Sequence, residues 1–192
     1  MARAARVTAR TTSTTTERRR ALLGLLLGLA AAGACQAATP APPPNLVQIS
    51  TRLVTSGQPS AAWLQTLREQ GFDAVIYLAP PTVADAVAQE PAIVKAQGLV
   101  YRNLPIDFQR PSSRDVDEFV RLMDGLSGRK VLVHCQVNMR ASAMVFLYRA
   151  TRLREDPQQA YEAVTRVWSP SAAWQRLLRD ELQIHRVDFE PF

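Results

Sequence analysis

Cys135 and Arg140 are separated by four residues, and His134 stands immediately before the cysteine. A thiolate is a strong nucleophile, and a guanidinium is a planar fork that grips a tetrahedral oxyanion through paired hydrogen bonds. Ahead of this group, Val131 to Val133 is an apolar run that reads as a buried strand. Behind it, Met144, Leu147 and Tyr148 recur at helical spacing. A strand, a tight turn and a helix N-terminus direct several main-chain N–H groups at one point, where the helix dipole also favours negative charge. A cysteine at that point gives up its proton readily. A lone cysteine ending a buried strand is more often an inert core residue. His134 and Arg140 on either side turn the reading toward a functional thiol. Nucleophile, amide cradle and guanidinium are the parts needed to attack a phosphoryl group.

The elements that must hold this loop are legible along the chain. Leu46 to Ile49 and Arg52 to Thr55 read as short strands, followed by a turn at Ser56-Gly57-Gln58-Pro59. Ser60 is an N-cap candidate for a helix from Ala61 to Gln70, which Gly71 stops. Ala74 to Leu78 is a strand, and a helical stretch to Gln97 is expected to be interrupted at Pro91. Leu99 to Leu104 is another strand, and the loop from Pro105 to Pro111 carries one acid, Asp107. Helices are expected over Ser113 to Leu126, Arg140 to Leu153, Pro157 to Val167 and Ser171 to Ile184. Strands alternating with helices imply an α/β fold, a mostly parallel central sheet with helices on both faces. The chain has no metal-ligand cluster and no glycine-rich nucleotide loop.

On the His134-Cys135 loop, Ser56-Gly57-Gln58-Pro59, Gly71 to Leu78 and Leu104 to Phe108, the chain resembles the cysteine-dependent phosphatase superfamily. The resemblance covers Leu46 to Trp174 and is strongest for the small, dual-specificity-like bacterial branch. It departs at the loop, where four residues rather than the usual five precede Arg140. That spacing is similar to the loop of rhodaneses and of the phosphatase-like domain of β-lactamase hydrolase-like proteins. In an ungapped alignment, Asn138 takes the usual glycine position, Ala141 that of the arginine and Ser142 that of the hydroxyl. Asn tolerates left-handed backbone better than most residues.

The resemblance implies a cysteine phosphatase fold and a phosphomonoester hydrolase working through a phosphocysteine. It assigns Cys135 as nucleophile, Arg140 as oxyanion clamp and Asp107 as general acid. His134, Gln136, Val137, Asn138, Met139 and Ser142 would line the phosphate site, with His134 setting the loop. Phosphoryl transfer needs such an acid because an alkoxide leaves poorly. Asp115, Asp117 and Glu118 read instead as helix N-terminal charges. No metal or cofactor is implied. The expected partner is a phosphorylated protein or a small phosphate ester. A non-catalytic pseudophosphatase and a rhodanese-like sulfurtransferase are the alternatives the short spacing allows.

The formal charge of +6 is concentrated at one end. Residues 1–34 hold six arginines and one acid, and removing them from the 23 basic and 17 acidic residues leaves 17 and 16. Nucleic-acid binding is therefore not expected. Arg18-Arg19-Arg20 followed by an uncharged run from Ala21 to Ala34 reads as an export signal, too short for a membrane span of about 20 residues. Arg19-Arg20 also resembles a twin-arginine signal. Ala32-Gly33-Ala34-Cys35 resembles a lipobox without its usual leucine. Residues 1–38 are thus assigned to export, 39–45 to a proline-rich linker and 46–192 to the folded domain. The expected location is the periplasm or a membrane to which Cys35 anchors the protein by a lipid. A Cys35–Cys135 disulfide is not expected.

Overall fold

The computed structural model describes residues 39–192; the export signal, the lipobox and Cys35 lie outside the described residues. Five strands form one sheet: β1 (Val47–Gln48), β2 (Leu53–Ser56), β3 (Ala74–Tyr77), β4 (Val100–Asn103) and β5 (Val131–His134). Their spatial order is β1-β2-β5-β3-β4, with β1 antiparallel and all other pairings parallel. β5 is the centre, so every residue of the strand leading to Cys135 is buried. In register, His134 sits between Ser56 of β2 and Tyr77 of β3.

Successive strand residues face opposite layers. Leu132, Val75 and Val54 pack with Trp63, Leu64, Leu67 and Val94 on one side. Val131, Val133, Ala74 and Ile76 pack on the other with Val116, Phe119, Met144, Phe146 and Leu178. The first layer holds α1 (Ala61–Leu64) and α2 (Glu90–Ala96). The second holds α3 (Ser113–Asp124), α4 (Met139–Leu147), α5 (Pro157–Thr165) and α6 (Ala172–Ile184). Helices on both faces of a mostly parallel sheet are what the alternating pattern implied.

Three local expectations need correction. Ser60 caps α1, its hydroxyl accepting from the Trp63 N–H at 3.2 Å, but regular helix ends at Leu64 rather than Gln70. Bonds such as Leu67 N–H to the Leu64 carbonyl then tighten the chain into turns. Pro91 does not interrupt a helix; it stands in the first turn of α2, where its missing N–H costs nothing. Behind the cysteine loop, α4 widens into one π-helical turn, Tyr148–Arg152. There the Leu153 N–H reaches back five residues to the Tyr148 carbonyl, and the Thr151 hydroxyl donates to the Leu147 carbonyl at 2.7 Å.

The acids at the start of α3 divide as local physics suggests. Ser112 and Asp115 form a reciprocal capping box, with the Ser112 N–H donating to Asp115 Oδ2 at 2.9 Å. At the far end, the partly exposed His185 caps α6 and lies 3.5 Å from Glu181. Trp63 and Trp174 are buried, and Trp168 packs beside Trp174.

Candidate active site

Cys135 follows β5 directly and is fully buried, its N–H donating to the Ser56 carbonyl at 3.2 Å. The chain then turns through Gln136, Val137 and Asn138 into α4, whose first residue is Met139. Asn138 makes the turn possible: its φ of 71° is left-handed, a region open to Asn at low cost. Its side-chain amide donates to Thr55 Oγ1 at 3.0 Å and to the Asn45 carbonyl at 2.6 Å. Asn45 answers by donating to the Val137 carbonyl at 3.0 Å. The last residues of the proline-rich stretch therefore pack against the loop. On the other flank, the Gln58 N–H donates to the Gln136 carbonyl at 2.9 Å.

This bracing leaves main-chain donors over. The N–H groups of Gln136, Val137, Met139, Arg140 and Ala141 have no acceptor among the described residues. The first amides of α4 lack intrahelical partners by geometry, and they carry the positive end of its dipole. These free amides, on the residues that follow the thiol, are the kind of donors an anion takes at a helix N-terminus.

Arg140, the second residue of α4, is turned toward the loop that carries Asp107. The residue is 7% exposed, Nε donates to the Ile106 carbonyl at 3.0 Å, and the guanidinium lies 5.1 Å from the Phe108 ring centre. It forms no ion pair among the described residues. The short spacing has not sent the guanidinium to solvent or to a distant acid.

Asp107 lies between these two contacts. Its loop is pinned on both sides, by the Ile106 N–H to the Leu78 carbonyl at 3.0 Å and by Trp174 Nε1–H to the Phe108 carbonyl at 3.0 Å. Phe108 is further wedged between Trp168 and Trp174. The carboxylate itself is half exposed, accepting from the Gln109 N–H at 2.9 Å and from Arg110 Nε at 2.9 Å. These donors, the Gln109 amide first and Arg110 next, hold its pKa below the ordinary carboxylate value.

Of the other residues named from sequence, Gln136 donates to Asp85 Oδ1 at 2.9 Å, and Val137 is exposed at the rim. The Ser142 hydroxyl donates to the Met139 carbonyl at 3.1 Å and makes no hydrogen bond to the Cys135 sulfur. His134 faces away from solvent, with Nε2 2.6 Å from Glu90 Oε1. Gln58 Nε2 donates to the other oxygen of Glu90 at 2.8 Å. Tyr77 stacks on the His134 ring at 4.7 Å between centroids. Burial first, then the charges of Glu90, Asp85 and Cys135, push the Tyr77 phenol up to about 12, against a lowering by Arg140.

Glu90, Gln58, Asp85 and Tyr77 were not singled out from sequence. Glu90 lies 44 residues from His134, so spacing carries no trace of the contact. The available signal was an acid directly before Pro91 at a helix start, where a charge is ordinarily solvated.

A buried cysteine between the central strand and a helix N-terminus, with a buried arginine in the first turn of that helix, is the arrangement of the cysteine-phosphatase class. The chain belongs to its dual-specificity branch: the family model described as a DSP-PTPase phosphatase fused to NAD+ kinase matches residues 44–178. A candidate phosphatase (DUF442) from Shewanella putrefaciens CN-32 is 32% identical over 74% of this chain and 93% of its own, with a TM-score of 0.67. The core catalytic domain of the PP-IP phosphatase SIW14 from S. cerevisiae shares the fold at 14% identity and TM-score 0.62, over 77% of this chain and 94% of that one. PTPMT1, solved in complex with PI(5)P, shares it at 18% identity and TM-score 0.60, over 73% of this chain and 96% of that one. No curated protein matched the chain.

Proposed function

We propose that this protein hydrolyses phosphate monoesters through a phosphocysteine on Cys135. The Cys135 thiolate attacks phosphorus, and an S–P bond forms as the P–O bond to the leaving group breaks. Asp107 gives its proton to the departing oxygen. Water then attacks phosphorus, its proton passes to Asp107, and the S–P bond breaks to release phosphate and the thiolate. Arg140 and the loop amides hold the equatorial oxygens in both steps. The observation that carries this reading is the placement of Arg140. Five residues after the thiol, it is buried and tethered through Nε to the Ile106 carbonyl, next to Asp107, with no carboxylate among the described residues paired to its terminal nitrogens.

The substrate class that fits is a phosphorylated protein or a small phosphate ester. The lipid bound by PTPMT1 is a phosphate ester too, and SIW14 is named for PP-IP. The test is hydrolysis of an aryl phosphate by the wild type and by Cys135→Ser. Turnover and a phosphate label trapped on Cys135 by rapid denaturation are expected for the wild type, and neither for the variant. Turnover that survives Cys135→Ser would reject the mechanism.

One observation favours a second reading, phosphate binding without turnover. The Asp107 carboxylate is engaged by Gln109 and Arg110 and held ionised, the wrong state for a proton donor. Tight phosphate binding by a wild type that leaves aryl phosphates intact would establish that reading instead.

A further inference from the structure

A buried carboxylate in this fold has no place in the chemistry above. Glu90 is 1% exposed, yet it lies on the first turn of α2, a position at which an acid is ordinarily solvated. Burying an ionised carboxylate costs several kcal/mol unless donors satisfy it. Here each oxygen has one: Gln58 Nε2–H on Oε2 at 2.8 Å, and His134 Nε2 on Oε1 at 2.6 Å. Both donors belong to segments that build the cysteine loop. Gln58 braces the loop through its own N–H on the Gln136 carbonyl, and His134 is the residue bonded to Cys135.

With both oxygens of an ionised Glu90 accepting, the imidazole carries its proton on Nε2. His134 Nδ1 is buried and has no hydrogen-bond partner among the described residues, so the contact with Glu90 is what orients the ring. We infer that Glu90 is a positioning residue for Cys135: through its contact with Nε2 it fixes the His134 ring and places a negative charge beside it, and the reactivity of the thiol depends on both. The inference rests on Cys135 being the reactive thiol.

The other groups around this pair limit how its charge can act. Tyr77 stacks on the ring from β3 and is neutral over the working range, its phenol raised to about 12. Tyr101 on β4 is likewise neutral, its phenol raised by burial and next by Glu90. Asp85 is held by Gln136, and Arg140 in α4 is held by the Ile106 carbonyl. Among these, Glu90 is the carboxylate that contacts the imidazole. Removing the charge of Glu90 therefore acts on the thiolate through His134 rather than through a direct contact.

Glu90→Gln tests this. Glutamine keeps the shape and, with the Gln58 amide turned over so that its oxygen accepts, both contacts, but it removes the negative charge beside the imidazole. Iodoacetate alkylation of Cys135 is measured against pH in the full chain, alongside aryl phosphate turnover. The expected result is a displacement of the alkylation profile to higher pH, with the rate at neutral pH falling about tenfold, the effect of one pH unit. kcat is expected to fall with it and KM to stay nearly constant. The pair Gln58→Glu with Glu90→Gln returns a negative charge to the cluster and is expected to recover part of the loss. An unmoved alkylation profile in folded Glu90→Gln would overturn the inference. Should that variant not fold, nitrogen-15 spectra of the wild-type imidazole decide. A proton on Nε2 across the pH range supports the inference, and a neutral ring protonated on Nδ1 overturns it. Wild-type Cys135 that resists alkylation altogether would instead reject the reactive-thiol reading beneath it.

Discussion

A methyl group placed on Gly57 would lie 2.7 Å from the carbonyl oxygen of Gln136. The turn after β2 and the residue after Cys135 are therefore in main-chain contact, closer than any side chain permits. The Pro44 carbonyl, 3.0 Å from the same point, closes the third side.

Gly57→Ala should force the loop outward, since the obstacles are backbone atoms that cannot rotate away. Overpacking of this kind costs about 1–3 kcal/mol. The thermal midpoint is expected to fall, and kcat/KM for an aryl phosphate is expected to fall further than the loss of folded protein explains. A variant as stable and active as the wild type would show that the loop has room to yield.

Arg140→Lys removes the planar fork and the Nε–H bond to Ile106 together, because an ammonium cannot serve both sides. Loss of one preorganised oxyanion donor typically costs about 10²–10³ in kcat. Wild-type turnover in the lysine variant would remove Arg140 from catalysis.

Asp107→Asn should slow alkyl phosphates far more than activated aryl phosphates, by an amount in the range of about 10²–10⁴ for general acid catalysis. Equal losses across leaving groups would exclude this role.

Arg110 gives the same assignment a pH signature. The Gln109 amide and Arg110 depress the Asp107 pKa, so the proton needed by the leaving group is lost at low pH. A rate that depends on protonated Asp107 falls as pH rises through that depressed value. Arg110→Ala removes one of the two donors, returns the pKa toward normal and should move the alkaline limb of kcat for poor leaving groups upward. A limb unmoved by the substitution would mean that another group sets it.

The arginines ahead of Ala21 predict a processed protein outside the cytoplasm. Mass spectrometry of the mature chain should place its N-terminus near residue 35, with a lipid on Cys35 if the lipobox is used. Recovery of the full chain from the cytoplasm with Met1 in place would refute export.

Much of the frame is legible in the sequence. The apolar run Val131 to Val133 is the central strand because only a strand flanked on both sides needs to be apolar at every position. The loop after it is legible because its chemistry is contiguous. What stays hidden is non-contiguous. Asn45 and Thr55 hold Asn138 from 93 and 83 residues away, and Glu90 meets His134 across 44. Nothing local marks these pairings, since Asn, Thr and Glu are ordinary in turns and helix starts. The Pro91 error has a different origin. A proline reads as a helix breaker or as a helix opener according to where the helix begins, and the turns from Pro80 to Gln89 move that beginning downstream.

The π-helical turn at Tyr148–Arg152 also fixes where the helix behind the nucleophile is anchored. A turn closed over five residues instead of four stores one residue more than the axial rise requires. Across that wider turn Tyr148 and Arg152 both hydrogen-bond the carboxylate of Asp124, the last residue of α3. The helix that begins beside Cys135 is thus tied at its far end to the helix that follows the Asp107 loop.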